Sequence, residues 1–292
     1  MPPTLTLPRK GGRGNGVAAG DAEMGTVREL WRYRDVLYNF VRRDIKKRYK
    51  SSILGFLWSF LLPLAQVVTF VIVFGYFWPV KEDDYSVKLM TCFFPWLFFN
   101  QGVLDGASCV AEHVSLVKRI YFPRLVLPLT SLGSNVIHFL LSLVVLAAYF
   151  AYVGVTVNWP YLPLVALALC IQIVFMFGLM LVVSALSVFY SDVKFLLSAV
   201  FQMWFFLTPV LYSAEKLLGS DRLSAVAKQV YFLNPLAPLM MGYRSVVPQQ
   251  EPTAILPHYY EYMAISAGVA VLTLAVGYVI FRRYEWDFAL QG

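Results

Sequence analysis

The chain has 292 residues, of which 59% are hydrophobic and only 14% charged, and its formal net charge is +7. Mean hydropathy is +0.64. Soluble domains usually contain about a quarter charged residues, so this composition excludes an ordinary soluble protein. Several runs of about 20 residues with few charges predict an all-α integral membrane protein instead.

The N-terminal segment, residues 1–26, is rich in Gly and Pro and contains no apolar run of the signal-peptide kind. We expect a disordered cytoplasmic tail rather than a cleaved leader. Its GGRGNG stretch lacks the Lys-Ser/Thr ending of a phosphate-binding loop, so it is not expected to bind nucleotide.

Residues 27–50 have the pattern of an amphipathic helix, with apolar side chains at helical spacing on one face. Residues 28–50 carry nine cations and three anions. A basic amphipathic helix next to a membrane span is typical of a helix lying along an anionic leaflet, so membrane lipids are expected partners.

The rest of the chain, 51–292, is predicted to form one transmembrane domain with six spans. Each span reaches or nearly reaches across a hydrocarbon core of about 30 Å at about 1.5 Å per residue. The predicted spans are 54–78, 89–110, 129–153, 161–189, 195–212 and 262–281. Residues 213–261 alternate between amphipathic stretches and prolines, which predicts short re-entrant helices between spans five and six.

The distribution of basic residues predicts the orientation. With the N-terminus inside, 18 of the 24 Lys and Arg residues fall on the inner side. The positive-inside rule therefore places both termini in the cytoplasm of a multi-pass protein of the cytoplasmic membrane.

Catalytic and metal-binding patterns are absent from the sequence. His113 is followed five residues later by Lys118, so there is no HxxxxD pair, and the acidic cluster 82–84 falls in a predicted outer loop. An integral membrane glycosyl- or acyltransferase is therefore disfavoured, and we predict no catalytic residue and no metal site. The three cysteines are expected to be buried as small hydrophobic side chains. A proton-coupled transporter or channel would carry charges in mid-span, and only Asp105, near a span's end, comes close.

The stretch LVKRIYFPRLVLP, residues 116–128, joins spans two and three on the predicted inner side. A short helix starting at Glu112 is expected to stop near Pro123. Such a basic, partly apolar helix can dock a soluble partner, but in an arbitrary membrane protein a topology anchor with an interfacial aromatic residue is favoured.

Five blocks of sequence stand out in order along the chain: RRDIKKRYKSSILGFLWSFLLPL (42–64), SLVKRIYFPRLVLPLTSLGSNVIHFLL (115–141), FYSDVKFLLSAVFQMWFFLTPVLYS (189–213), NPLAPLMMGYRSVV (234–247) and FRRYEWDFA (281–289). Together they resemble the ABC-2 type permeases, and more narrowly the O-antigen and teichoic acid exporters. The resemblance covers nearly the whole chain after about residue 27.

This resemblance implies a homodimer of six-span subunits with two copies of a separate nucleotide-binding subunit. It implies a gate helix at 27–50 and a coupling helix that contacts the ATPase. The implied coupling residues are Glu112, His113, Leu116, Lys118 and Arg119. The chain has no GxxxxGK[ST] sequence, so ATP and Mg²⁺ are expected in the partner and no cofactor in this chain.

The cargo implied by the resemblance is a lipid-linked cell-surface polysaccharide built on a polyprenyl pyrophosphate. Teichoic acid, or another lipid or drug, is the alternative cargo. No nucleic-acid partner is expected. The protein is predicted to be a permease rather than an enzyme.

Three groups of residues are candidates for contact with that cargo. The first is the basic group at the inner membrane surface, which suits either pyrophosphate or lipid headgroups: Arg42, Arg43, Lys46, Lys47 and Arg48. The second is an aromatic group predicted to lie roughly on one helical face of span five, which suits either a glycan path or a bundle core: Phe201, Trp204, Phe205 and Tyr212. The third is a series of intramembrane amides, for which interhelical hydrogen bonds are favoured over sugar contacts: Gln66, Asn100, Gln101, Asn135, Gln172 and Gln202. His138 is likewise expected to be an interhelical donor.

Overall fold

A computed structural model describes residues 33–48, 54, 57–77, 85–113, 122–219, 224–285 and 288. Within these ranges the chain is helical and forms no strand. The α-helices are α1 Arg34–Arg48, α2 Trp58–Ile72, α3 Tyr85–Cys109, α4 Val126–Val153, α5 Leu162–Phe189, α6 Val193–Phe206, α7 Ala214–Leu218, α8 Ala225–Phe232, α9 Leu236–Arg244, α10 Pro252–Ile255 and α11 Tyr259–Tyr284. The predicted tail, 1–26, lies outside the described residues.

Each of the six predicted apolar runs forms a helix at its expected place in the chain. Among the described residues, three helices are long and apolar enough to cross a membrane: Val126–Val153, Trp159–Phe189 and Tyr259–Tyr284. The helices α2 and α6 are apolar but shorter. The helix α3 is long enough, with 25 residues, but it is more polar than those three helices. The number of spans beyond three therefore stays a prediction.

The predicted fifth span, 195–212, was too long. The helix α6 ends at Phe206, and residues 207–212 form turns and bends. Pro209 accounts for this, because the residue before a proline is driven away from helical geometry. Tyr212 therefore does not lie on the same helix as Phe201.

The helix α3 lies at the centre of the bundle and packs against α4, α5, α6 and α9. Its burial extends to nearly every side, which explains why its sequence is apolar without a clear amphipathic stripe. Met176 and Met180 of α5 fill the space beside Gly102 and Gly106 of α3. The absence of side chains at these two glycines allows the close approach of α3 and α5.

The helices α5 and α11 form the most extensive helix pair. A Cβ atom at Gly178 would lie 2.6 Å from the backbone nitrogen of Leu274, and one at Gly277 would overlap the Gly178 carbonyl oxygen. Backbone contact at small residues is the usual way for membrane helices to associate.

The cysteines only partly follow expectation. Cys92 and Cys109 are buried, but Cys170 is exposed on α5. The apolar surface of a membrane bundle faces lipid, so an apolar sequence context does not imply burial inside the protein.

Candidate functional site

A polar cavity of about 290 Å³ lies at one end of the bundle, where α1 crosses the ends of three other helices. Three carboxylates, two cations and one histidine line it among apolar side chains. Its lining residues are Phe40, Arg43, Asp44, Asp105, Ser108, Cys109, Glu112, His113, Leu127, Thr130, Ser131 and Lys194. Most of these belong to segments that are far apart in sequence.

Asp105 is held at the inner end of this cavity by two amides. Gln101, one turn earlier on α3, donates to Asp105 Oδ1 at 2.7 Å, and Asn135 of α4 donates to Asp105 Oδ2 at 3.0 Å. Asn135 also donates to the Ser131 carbonyl oxygen at 2.9 Å. The network ties α3 to α4 and stabilises a partly buried carboxylate in the last turns of α3.

Lys194, at the start of α6, crosses the mouth of the cavity and donates to the Ser108 hydroxyl at 3.0 Å. The two residues are 86 positions apart in the chain. Sequence reasoning did not select Lys194, because its position at the start of α6 carries no signal of this contact.

The structure describes two of the five predicted coupling residues. Glu112 and His113 belong to a 3₁₀ helix, Ala111–His113, at the end of α3 and line the cavity. His113 Nδ1 lies 2.8 Å from the Cys109 carbonyl oxygen. Leu116, Lys118 and Arg119 lie outside the described residues.

Of the predicted basic group, Arg42, Arg43 and Lys46 are exposed on α1. The Lys47 and Arg48 side chains lie outside the described part of the structure. Arg43 differs from the other two because it lines the cavity and lies 4.9 Å from the ring centroid of Phe40.

Phe40 fastens α1 to the start of α4. Its ring meets Phe122 edge-on at 5.8 Å, and Val41, the next residue of α1, contacts Gly133 of α4. Phe122 follows the predicted coupling segment by three residues, so this aromatic pair brings α1 next to the chain that leaves that segment.

The predicted aromatic group packs inside the subunit. Phe201 is 3% exposed and lies 5.6 Å from Phe99, while Phe205 lies 5.5 Å from Trp96. Trp204 is partly buried and donates from Nε1 to the Asn234 side-chain oxygen at 3.0 Å. These three rings share one face, as their spacing predicted, and that face is turned towards α3.

The open face of α6 carries other side chains. The large exposed apolar residues of this helix are Phe195, Leu196, Val200, Met203 and Phe206. Phe201 is buried on the opposite face, against Phe99 of α3.

Tyr212 belongs to a separate cluster beyond the end of α6. Its hydroxyl donates to the Phe206 carbonyl oxygen at 3.0 Å and lies 2.8 Å from the Tyr231 hydroxyl. Burial raises the pKa of the Tyr231 phenol, so this phenol stays protonated. The cluster holds α8 against the turn that follows α6.

Arg244 is a buried cation that sequence reasoning counted only as an outer-loop charge. Its guanidinium donates to the carbonyl oxygens of Tyr212 at 3.1 Å, Val210 at 3.2 Å and Pro209 at 3.3 Å. These carbonyls follow the end of α6, where helical partners are missing. The residue therefore attaches α9 to the end of α6.

The described residues form a bundle of apolar helices with a charged cavity where α1 meets it. Residues 36–247 match the ABC-2 type transporter family. This chain belongs to that family and is an integral membrane protein.

Three relatives are similar over most of the chain. It is 30% identical over 265 residues to the O-antigen export system permease protein RfbA of Myxococcus xanthus, covering 90% of this chain and 97% of that protein. Two proteins of Klebsiella pneumoniae with the same name are 29% and 28% identical over 258 residues, covering 87% of this chain and 94% of each relative. Membership of the family implies an ABC ATPase as partner, with this chain as the transporter's membrane subunit.

Proposed function

We propose that this chain is the permease of an ABC transporter that exports a lipid-linked cell-surface polysaccharide across the cytoplasmic membrane. The observation that carries this proposal is its 30% identity, over 97% of the relative's length, to a protein named as an O-antigen export permease. The energy comes from ATP and Mg²⁺ in the partner subunit.

The assembly is a homodimer of this chain with two copies of the ATPase. The predicted coupling segment, from Glu112 to Arg119, is the contact with the ATPase. The cavity supports this role, because Glu112 and His113 line it together with Arg43 of α1. Movement of the segment would then reach α1 directly, through the pair of Phe40 and Phe122.

The transmembrane domain spans residues 51–292, with six spans and both termini in the cytoplasm. The excess of Lys and Arg on one side supports this orientation. Short helices between spans five and six enter the outer leaflet. The burial of all nine residues of α9 supports this, because the unpaired backbone groups at the ends of a short helix then face protein rather than lipid.

The helix α1 is the interfacial gate, and its cations hold the pyrophosphate of the lipid carrier. The exposure of Arg42, Arg43 and Lys46 on one helix supports this role. A guanidinium group binds phosphate oxygens in pairs, so the arginines are the preferred ligands.

The experiment combines deletion with purification. Deleting the gene is expected to remove the surface polysaccharide while its lipid-linked precursor accumulates inside the cell, and the intact gene should restore export. The chain purified from native membranes at modest salt should carry a stoichiometric ABC ATPase, identified by mass spectrometry. Unchanged surface polysaccharide in the deletion strain would contradict the cargo, and a chain that purifies alone would contradict the assembly.

A further inference from the structure

A second cavity of about 430 Å³ lies between α2, α3 and α4, next to the charged cavity. Polar side chains from all three helices converge on it, and aromatic side chains form part of its wall. We call it the amide groove, and its polar lining residues are Gln66, Asn100, Gln101, Asn135, His138 and Ser142.

The structure separates the intramembrane amides into two kinds. Gln172, which is fully buried, donates to the Pro95 carbonyl oxygen at 2.7 Å, and Asn135 donates to Asp105. These two confirm the expectation of interhelical hydrogen bonds. Gln66 and Asn100 instead line the groove, each from a different helix.

The environment of Asn100 indicates that the groove binds a ligand that forms hydrogen bonds. Its side-chain oxygen is buried and has no hydrogen-bond partner among the described residues. A buried amide without a partner is destabilising, most of all within a bilayer, where lipid tails cannot supply a donor. The groove therefore suits a ligand with hydroxyl groups better than a lipid chain.

The apolar wall of the groove complements these amides. Trp58, at 39% exposure, presents its ring to this cavity, while Phe94 and Phe98 are buried and only back its wall. Amides that donate and accept hydrogen bonds, beside a flat indole ring that packs against C–H groups, match the alternating polar and apolar faces of a pyranose. The volume also falls in the range of about 300–1,000 Å³ found for small-ligand sites.

The groove adjoins the charged cavity through one hydrogen-bond network. Gln101 and Asn135 line the groove, and Asp105, to which both donate, lines the cavity. A phosphorylated lipid head bound by Arg43, which lines the cavity, would place the first sugars near the groove.

We propose that the amide groove binds sugar residues of the exported polysaccharide through Gln66 and Asn100. The proposal rests on the proposed function, because it takes the cargo to be a glycan. It assigns sugar contact to α2, α3 and α4, whereas the predicted aromatic group lies on α6 and beyond.

Photo-crosslinking in the full transporter of exporting cells tests the groove directly. Leu62 lines the groove and is 55% exposed, so it tolerates replacement by the photoreactive residue p-benzoylphenylalanine. A matched control at Leu140, which is 50% exposed on α4 and does not line the groove, samples the outer surface of the bundle. A third probe at Met203, 60% exposed on α6, samples the helix whose aromatic residues were predicted to line the path.

After irradiation, we expect a carbohydrate-staining, periodate-sensitive adduct at Leu62 and none at Leu140. An adduct at Met203 without one at Leu62 would overturn the groove and leave the proposed function standing. A lipid-only adduct at Leu62, or no adduct there while export proceeds, would also overturn it. Failure of the proposed function is read separately, from unchanged surface polysaccharide in the deletion strain.

Amide replacement provides a second measurement. Gln66→Met and Asn100→Leu keep side-chain size and remove the hydrogen-bonding groups, so each should lower exported polysaccharide about fivefold, the scale of one hydrogen bond. Gln229→Met, at an exposed amide of α8, is the control. Membrane levels of the three variants should be equal. Export by Gln66→Met and Asn100→Leu equal to that of the control would contradict the sugar contact.

Discussion

Asn135 donates a hydrogen bond to the Asp105 carboxylate, with Nδ2 and Oδ2 3.0 Å apart, and so joins α4 to α3 at the boundary between the charged cavity and the amide groove. The same nitrogen donates to Ser131 in its own helix, which fixes the direction of the amide. The Asn135 amide is therefore already held in the orientation that its bond to Asp105 requires.

We expect Asn135→Leu to lower the free energy of unfolding by about 1 kcal/mol, because interhelical hydrogen bonds in membranes are individually modest. The measurement is a double-mutant cycle with Asp105→Leu, which removes the accepting oxygens, using unfolding of the purified protein by SDS. Strictly additive effects would show that the two side chains do not interact. Ser142→Ala, which removes a bond to His138 within α4, is the control.

The crossing of α5 and α11 depends on Gly277. A methyl group at this position would overlap the Gly178 carbonyl oxygen, so we expect Gly277→Ala to destabilise the protein by about 1–3 kcal/mol. Gly268→Ala on the same helix is the matched control, since a Cβ there meets nothing within 4 Å. Equal stability of the two variants in thermal unfolding would contradict the predicted contact between α5 and α11.

Arg244 is expected to hold the end of α6 to α9. Arg244→Gln would leave carbonyl oxygens of Pro209, Val210 and Tyr212 without their donor, at a cost of about 2–3 kcal/mol. Arg244→Lys should rescue only part of this, because an ammonium group lacks the planar fork. Resistance to protease within 207–213 is the measurement, with Arg283→Gln at an exposed site as control.

The predicted coupling segment can be tested by charge reversal. We expect Lys118→Glu together with Arg119→Glu to leave membrane insertion and dimer formation intact while uncoupling ATP hydrolysis from export. Both activities are measured in the reconstituted transporter, and Lys216→Glu, at an exposed site on α7, is the control. Normal export by the double variant would remove this segment from the contact with the ATPase.

Local sequence determined where the helices lie, because an apolar run or a proline affects the backbone conformation of only a few neighbouring residues. The six apolar runs each formed a helix. Phe201, Trp204 and Phe205 share a face of α6 as predicted, but Tyr212, predicted to share it, lies beyond the end of that helix. Pro209 is a local signal for the end of α6. The prediction passed over it because the residues after it are also apolar, so the predicted span ran to residue 212.

The sequence did not indicate which face of each helix contacts protein and which contacts lipid. In a membrane both lipid and protein accept apolar side chains, so hydrophobicity does not say which face is buried. Exposed Cys170 and buried Phe201 show the two outcomes.

Composition, hydrophobic runs and basic-residue bias thus determined the class of protein, its helices and its expected orientation. Only the tertiary structure decided that Lys194 meets Ser108, that Arg244 caps the end of α6, and that Gln66 and Asn100 line one groove while Gln172 bonds across helices. The physical reason is that polar groups in a bilayer must find partners, and the partner is chosen by helix packing between residues far apart in the chain.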